Sequence, residues 1–353
     1  MFTSCTGKTP MPSSDYMILS KVSFVDEFPR TLNLSDPIQV EMDVYGVLDF
    51  TIQDSIIIFS SKNPKRFWSI FSLQNHELRG HFLEKGNGPN EFLGTPWIYS
   101  TSFYTKNDEL IAAIYDFYKG KVYEMNVGRT LAESTLSISI INESLPKNLF
   151  NLVAIDNLTF FCKEISTDHR QQERYLIDDG IKNIPANFEK LNRSAIMPRE
   201  DINILSTITK RNKPTGRFVE IPLKLNYINI YSIDGSFEKT ICLGKKLDKI
   251  SDIQQLDRAK RILRHGYLCV YDGIFGVLCF NEEEKSYDLE RKIFPTIQFF
   301  NIDGEPLVEF KLNRHATSFD IDFNNGQLYI HDFRTDELYK YDIQNIIVDC
   351  FRF

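Results

Sequence analysis

The sequence has no run of the roughly 18 apolar residues that a membrane-spanning helix needs, so any hold on a membrane must come from an anchor. It has no positive excess either. Lys and Arg number 41 against 48 Asp and Glu, a formal net charge of −7, and nucleic-acid phosphates demand the opposite sign. No CxxC pair occurs among the six cysteines, which removes zinc ribbons and thioredoxin-type redox motifs. There is no G-x-S-x-G elbow and no HExxH. Gly7-Lys8-Thr9 ends like a phosphate-binding loop, but the required earlier glycine is missing and no strand leads into it. The histidines (His76, His81, His169, His265, His315 and His331) show no metal-ligand spacing. Residues 320–326 (DIDFNNG) place their glycine one position late for a calcium loop, and His331 stands where the closing Glu belongs. Asn325-Gly326 reads instead as a hairpin turn. The sequence therefore predicts neither a cofactor nor a metal.

What the chain does have is aromatics, 28 Phe and 16 Tyr, which favour strands, and a repeat. An apolar strand ends in Asp, a polar link follows, and an aromatic strand returns. The return strand recurs six times: FWSIFSL (67–73), VYEMNV (122–127), ERYLIDDG (173–180), INIYSIDG (228–235), IQFFNIDG (297–304) and LYKYDI (338–343). The steps are irregular, yet most lie near the roughly 40–50 residues of a four-stranded propeller blade. Three repeats close with Asp-Gly (179–180, 234–235 and 303–304), which suits a tight turn into a fourth strand such as FEKTICL (237–243) or PLVEFKL (306–312). One four-stranded sheet cannot bury two apolar faces alone; a ring of such sheets can. The sequence predicts an all-β fold, a six-bladed β-propeller with four-stranded antiparallel blades. Five or seven blades remain open, because an irregular step could hide or split one.

The last repeat supplies three strands (318–323, 327–332 and 337–343), so one chain end must complete it. Residues 16–24 alternate well and are the first choice; residues 346–353 are the rival. Residues 187–200 read as a link between blades. Residues 251–265 (SDIQQLDRAKRILRH) read as a short helix capped by Ser251 or Asp252 and stopped by Gly266. Its Arg258, Lys260, Arg261, Arg264 and His265 form a basic stripe, either a solvated face or an anion or partner site. Cys162, Cys242, Cys269 and Cys279 lie in apolar strands and read as buried free thiols. A Cys269–Cys279 disulfide across a hairpin is the alternative.

After the first repeat comes Gly86-Asn87-Gly88-Pro89-Asn90-Glu91-Phe92. Two glycines and a proline make a turn-rich link, in which Glu91 accepts hydrogen bonds from free backbone donors or meets a ligand. This G-x-G-P-x-E-F phrase, with the IDG-ending strands, resembles the TolB-like six-bladed propellers of Bacteroides-type bacteria, most closely over residues 215–343. Val277-Leu278-Cys279-Phe280 departs from the Tyr-rich, Gly-terminated phrase that the family often carries at that place. The resemblance implies the fold and a cell-envelope location. It implies no reaction.

The N-terminus suggests how such a protein is held. Phe2-Thr3-Ser4-Cys5 resembles a lipobox, in which Cys5 is lipidated; the leader such a phrase requires would lie upstream. Residues 1–14 then form a polar, Pro-containing tether and residues 15–353 a single propeller domain. Thr-Gly-Lys-Thr after Cys5 lacks the acidic cluster of surface-exported lipoproteins, which favours the periplasmic side. The leading expectation is a monomeric binding or scaffold module with a glycan, peptide or envelope protein as partner, and membrane contact only through the lipid. The alternative is a channel-centred hydrolase or lyase whose metal ligands come from separate blades. A third is a propeller built into a larger envelope assembly.

Overall fold

Segments such as Ile56–Ser61, Phe218–Pro222 and Tyr227–Tyr231 are buried at every position. A strand with one wet face alternates apolar and polar; these do not, because each of their sheets is covered on both sides. The computed structural model describes residues 14–63, 65–166 and 170–351. Six sheets are arranged as the blades of a propeller. Blade 1 is Val47–Gln53, Ile56–Ser61, Trp68–Ser72 and Leu78–Phe82. Blade 2 is Ser102–Lys106, Glu109–Asp116, Lys121–Asn126 and Ile138–Asn142. Blade 3 is Asn151–Ala154, Thr159–Ser166, Gln171–Asp178 and Ile181–Asn183. Blade 4 is Thr207–Arg211, Phe218–Pro222, Tyr227–Tyr231 and Glu238–Leu243. Blade 5 is Ile262–Val270, Ile274–Glu283, Thr296–Asn301 and Pro306–Lys311. Blade 6 takes Ser318–Asp322, Gln327–Asp332 and Glu337–Asp342 from the C-terminal end. Within each blade the strands are antiparallel neighbours in chain order.

Each of the six repeated aromatic phrases contributes the third strand of its blade. Asp179-Gly180 makes the tight turn expected of it, with φ of 46° and 78°, a conformation that glycine adopts without a Cβ penalty. Helix is confined, among the described residues, to α-helices of six or seven residues and short 3-10 turns.

Ring closure differs from the sequence expectation in detail. The N-terminal end does close the ring, but the fourth strand of blade 6 is Ile38–Gln39, antiparallel to Glu337–Asp342, and not residues 16–24. Val22–Val25 instead pairs parallel with the outer strand of blade 4, and Thr31–Asn33 pairs parallel with the outer strand of blade 5. We name Val22–Val25, Thr31–Asn33 and Ile38–Gln39 strands β1, β2 and β3. The rival, residues 346–353, is not a strand either: Gln344–Cys350 is helical, and Phe351 behind it is buried against Phe299.

Residues 14–40 act as a strap. The core consists of apolar clusters between neighbouring blades, and the strap sends a side chain into four of them in succession. Met17 and Leu19 enter the cluster of blades 3 and 4, and Val25 that of blades 4 and 5. Leu34 enters that of blades 5 and 6, and Val40 that of blades 6 and 1. Two outer edges that would expose free backbone donors and acceptors are thereby covered.

The segment 251–265 is not one helix. Ile250–Gln255 is helical, Arg258–Lys260 is a 3-10 turn, and Ile262 already begins blade 5. The basic stripe is dispersed accordingly. Arg261 pairs with Glu200 and Asp201, Arg264 pairs with Asp248, and His265 is buried with Nδ1 2.6 Å from the carbonyl of Pro222. Cys269 and Cys279 are free and buried; the register sets Cys269 opposite Gly276, so the two sulfurs do not face each other.

Candidate functional site

The first strand of each blade lines the propeller axis. First strands of blades 3 and 4, 4 and 5, 5 and 6, and 6 and 1 touch, and the turn Ile98–Ser100 ahead of blade 2 bridges blades 1 and 3. At the end of the axis where first strands turn into second strands, these elements enclose a cavity of about 620 Å³. Ile52, Ser102, Val153, Lys210, Val270 and Ile321, one from each blade in order, form part of its wall. One layer deeper the axis is filled. Tyr267 is buried with its hydroxyl donating to the carbonyl of Phe50 at 3.2 Å. Beside it, the buried Asp49 carboxylate accepts from the amides of Tyr99 (2.8 Å) and Ile98 (3.4 Å) and from the Ser60 hydroxyl.

The charges on the wall are unevenly satisfied. Asp320 is buried, and both its oxygens are engaged: Oδ1 accepts from the Tyr271 hydroxyl (2.9 Å) and the Ile321 amide (2.9 Å), and Oδ2 from the Thr51 hydroxyl and the Ile52 amide (both 2.8 Å). Burial raises its pKa, and those hydrogen bonds only partly offset the effect. Asp322 is buried and holds the 322–326 turn through the amides of Asn324 and Asn325 and the side chain of Asn325. The cations all come from blade 4. Lys210 lies 5.6 Å from the ring centre of Tyr267, and Lys213 lies 5.6 Å from that of Tyr104. Neither side chain forms an ion pair or hydrogen bond within the described residues. Arg211 touches the Ile155 carbonyl only at 3.5 Å, and its buried Nε has no partner. Asp54 and Asp272 stand exposed at the rim.

Behind this wall lies a buried ionic network at the seam of blades 3 and 4. Arg174 donates through Nε to Oε1 (2.9 Å) and Oε2 (3.0 Å) of Glu220, and Nη2 also reaches Oε1. Tyr231 donates to Glu220 at 2.8 Å. Lys163 donates to the Thr207 carbonyl (2.9 Å) and to the hydroxyls of Thr207 (2.6 Å) and Thr209 (3.0 Å), and Thr209 itself faces the cavity. Burial and the nearby Arg174 pull Lys163 down to about 7, against the attraction of Glu220. The sign follows. A lysine whose folded pKa is lowered binds fewer protons folded than unfolded, so stability rises with pH from about 7 toward its ordinary value of 10.5. Thermal melts of the wild type should rise with pH between these limits more steeply than those of Lys163→Met. Parallel slopes would show that Lys163 carries an ordinary charge in the folded protein.

The loop singled out in the sequence lies elsewhere. Gly88 N donates to Glu91 Oε2 at 2.7 Å, and Lys119 of blade 2 donates to the carbonyls of Gly88 (3.1 Å) and Glu91 (2.5 Å). A Cβ on Gly86 would stand 1.9 Å from Glu91 Oε2, so a larger residue there would displace the Glu91 carboxylate. Gly86, Gly88, Pro89 and Glu91 thus clasp the link between blades 1 and 2, and none of them lines the axial cavity. Cys5 and His169 fall outside the described residues. No group of three His, Cys, Asp or Glu among the described residues could hold a metal ion.

No protein-family profile matches this chain, and neither does any curated protein sequence. Solved structures do match. A Bacteroides vulgatus member of the DUF4221 family is 11% identical, with 88% of this chain and 96% of that one aligned at a TM-score of 0.52. A Bacteroides fragilis protein described as a candidate exported protein is 9% identical, with 88% of this chain and 98% of that one aligned at a TM-score of 0.51. At such identities the likeness is one of fold, and the site must be argued from its own residues.

Of the cavity residues, 320–324 fall in the stretch 320–326 that reads in sequence as a hairpin turn, and Cys269 reads as a buried thiol; neither reading assigns them to a site. TITKRNK (207–213) carried a signal, three cations crowded at a strand end, but no motif marks it. Only the ring brings those cations into one wall with Tyr271 and Asp320.

Proposed function

We propose that this chain is a monomeric ligand-binding propeller of the bacterial cell envelope, lipid-anchored at Cys5, whose ligand occupies the axial cavity. The observation that carries this reading is the cavity of about 620 Å³ walled by all six blades. That volume lies within the roughly 300–1,000 Å³ typical of small-molecule sites, and the wall combines apolar side chains with the charged Lys210, Arg211, Lys213 and Asp320. The envelope location draws on the lipobox-like phrase and on the exported description of the Bacteroides fragilis neighbour.

Strand direction adds an orientation. First strands run toward the cavity end, so the links from blade to blade set out from the opposite end; the link into blade 2 crosses the axis, and its residues 98–101 line the cavity. The chain enters the structure there: Ser14 N donates to the Arg193 carbonyl at 3.1 Å, and Asp15 accepts from Ser251 N at 2.7 Å, both partners lying in blade-to-blade links. A tether from Cys5 then leaves from the face opposite the cavity, and the cavity opens away from the membrane.

The test has two parts. Ala154 lines the cavity and also packs beside the cluster of blades 2 and 3, so Ala154→Trp should crowd the cavity and abolish binding of any ligand found by thermal-shift screening, with retention of the fold checked by circular dichroism. Ligands that bind Ala154→Trp undiminished would place the site elsewhere. Expressed with a leader, the wild type should fractionate with membranes and Cys5→Ala should not; equal solubility of the two would remove the anchor.

A further inference from the structure

We infer that the axial cavity is built for a small organic oxyanion, a molecule whose carboxylate or phosphate meets Lys210, Arg211 and Lys213. This rests on the cavity being the ligand site and says what kind of ligand it takes.

The inference comes from counting which polar groups are already satisfied. The two buried carboxylates on the wall use both oxygens within the protein: Asp320 takes four donors and Asp322 takes three. They have little capacity left for a cationic ligand. The cations are in the opposite condition. Lys210 and Lys213 donate to no acceptor within the described residues. Lys210 lies beside the Tyr267 ring and in the field of the buried Asp49, and Lys213 lies beside the Tyr104 ring and near the exposed Asp272. The Nε of Arg211 is buried without an acceptor. A buried donor without an acceptor is costly, and buried polar groups are nearly always paired. On the inner wall the unmet demand is therefore for acceptors carrying negative charge, while the carboxylates of Asp54 and Asp272, free within the described residues, stand out at the rim.

Other features refine the class. Tyr99 faces the cavity and its hydroxyl makes no hydrogen bond within the described residues, so it offers one further donor. Ile52, Val153, Val270 and Ile321 give the wall apolar area that a bare inorganic ion would leave uncovered. Asp272 at the rim attracts Lys213 without closing an ion pair. Arg and Lys together suit carboxylate or phosphate oxygens, with the guanidinium supplying direction and the ammonium groups supplying charge.

The experiment is calorimetric titration of the purified full chain with matched probes. One pair is 4-bromobenzoate and 4-bromobenzamide; another is glucuronate and glucose; glucose 6-phosphate and inorganic phosphate separate an organic phosphate from the free ion. At least one acid should bind about tenfold tighter than its neutral twin and than inorganic phosphate. Lys210→Met with Lys213→Met should erase that preference without lowering the melting temperature, and Lys210→Arg with Lys213→Arg should keep it. The inference is overturned if neutral twins bind as well as the acids, if inorganic phosphate alone binds as tightly, or if the double Met variant keeps the full preference. It is equally overturned if no acid binds at about 10 mM, weaker than any useful site. Neutral twins that bind the wild type but not Ala154→Trp would remove the anion preference and leave the cavity as the ligand site. Probes indifferent to Ala154→Trp would remove both.

Discussion

Glu220→Ala is expected to destabilise the propeller by about 3–5 kcal/mol, the usual cost of leaving a buried charge without its partner. Arg174 and Glu220 are both fully buried at the seam of blades 3 and 4. Burial opposes the charge on Glu220, but Arg174 and Lys163 outweigh it and hold its pKa at about 2. Removing the carboxylate leaves two cations side by side on blade 3, Lys163 and Arg174 on paired strands, facing a seam with no counter-charge, and Tyr231 loses its acceptor. The blades cannot part locally to admit water, because the ring holds them on both sides. An isosteric double replacement, Arg174→Met with Glu220→Leu, should recover part of the loss, since apolar pairs often match buried ion pairs in stability. Chemical denaturation would measure both. A single variant as stable as the wild type would mean that water reaches the seam. The same linkage gives an acid limit. A carboxylate with a depressed folded pKa contributes fully above its ordinary value of 4.5 and loses that contribution as pH falls toward about 2.

Deleting residues 14–40 should abolish cooperative folding. The deletion removes β3, and with it the outer strand of blade 6, and uncovers the outer edges of blades 4 and 5. It also withdraws Met17, Leu19, Val25, Leu34 and Val40, all buried. At about 1.5–3 kcal/mol for each side chain, that burial is comparable with the whole stability of a domain, about 5–15 kcal/mol. Exposed strand edges then template association. The expected result is aggregated protein with no sharp thermal transition. A monomeric product with an unchanged melting temperature would show that the strap is decoration and that the ring closes without it.

Most of the architecture was legible because the repeat is written in residues that pack. The six aromatic phrases are third strands, whose side chains face neighbouring blades on both sides, so their identity is constrained position by position. The strap was less legible for the converse reason. β2 and β3 are three and two residues long and largely exposed, and alternation over so few residues carries no information. Residues 16–24 alternate better than β3, yet their partner is the edge of blade 4, a choice made by tertiary contacts such as the Leu19 amide on Thr240 Oγ1 at 2.8 Å. Helix 251–265 failed where Leu256 and Arg261 turn extended, allowing Ile262 to join the sheet of blade 5. The site was the least legible part. Lys210, Tyr271 and Asp320 are far apart in the chain, and no local spacing announces that closure of the ring will set them around one cavity.

The most direct test of the central claim is a crystal structure of the full chain soaked with 4-bromobenzoate, the bromine located by its anomalous scattering. The account predicts one bromine site inside the axial cavity, with the carboxylate against Lys210, Arg211 or Lys213. Bromine found only on the outer blade edges, or on the face where the tether enters, with the cavity empty, would contradict it.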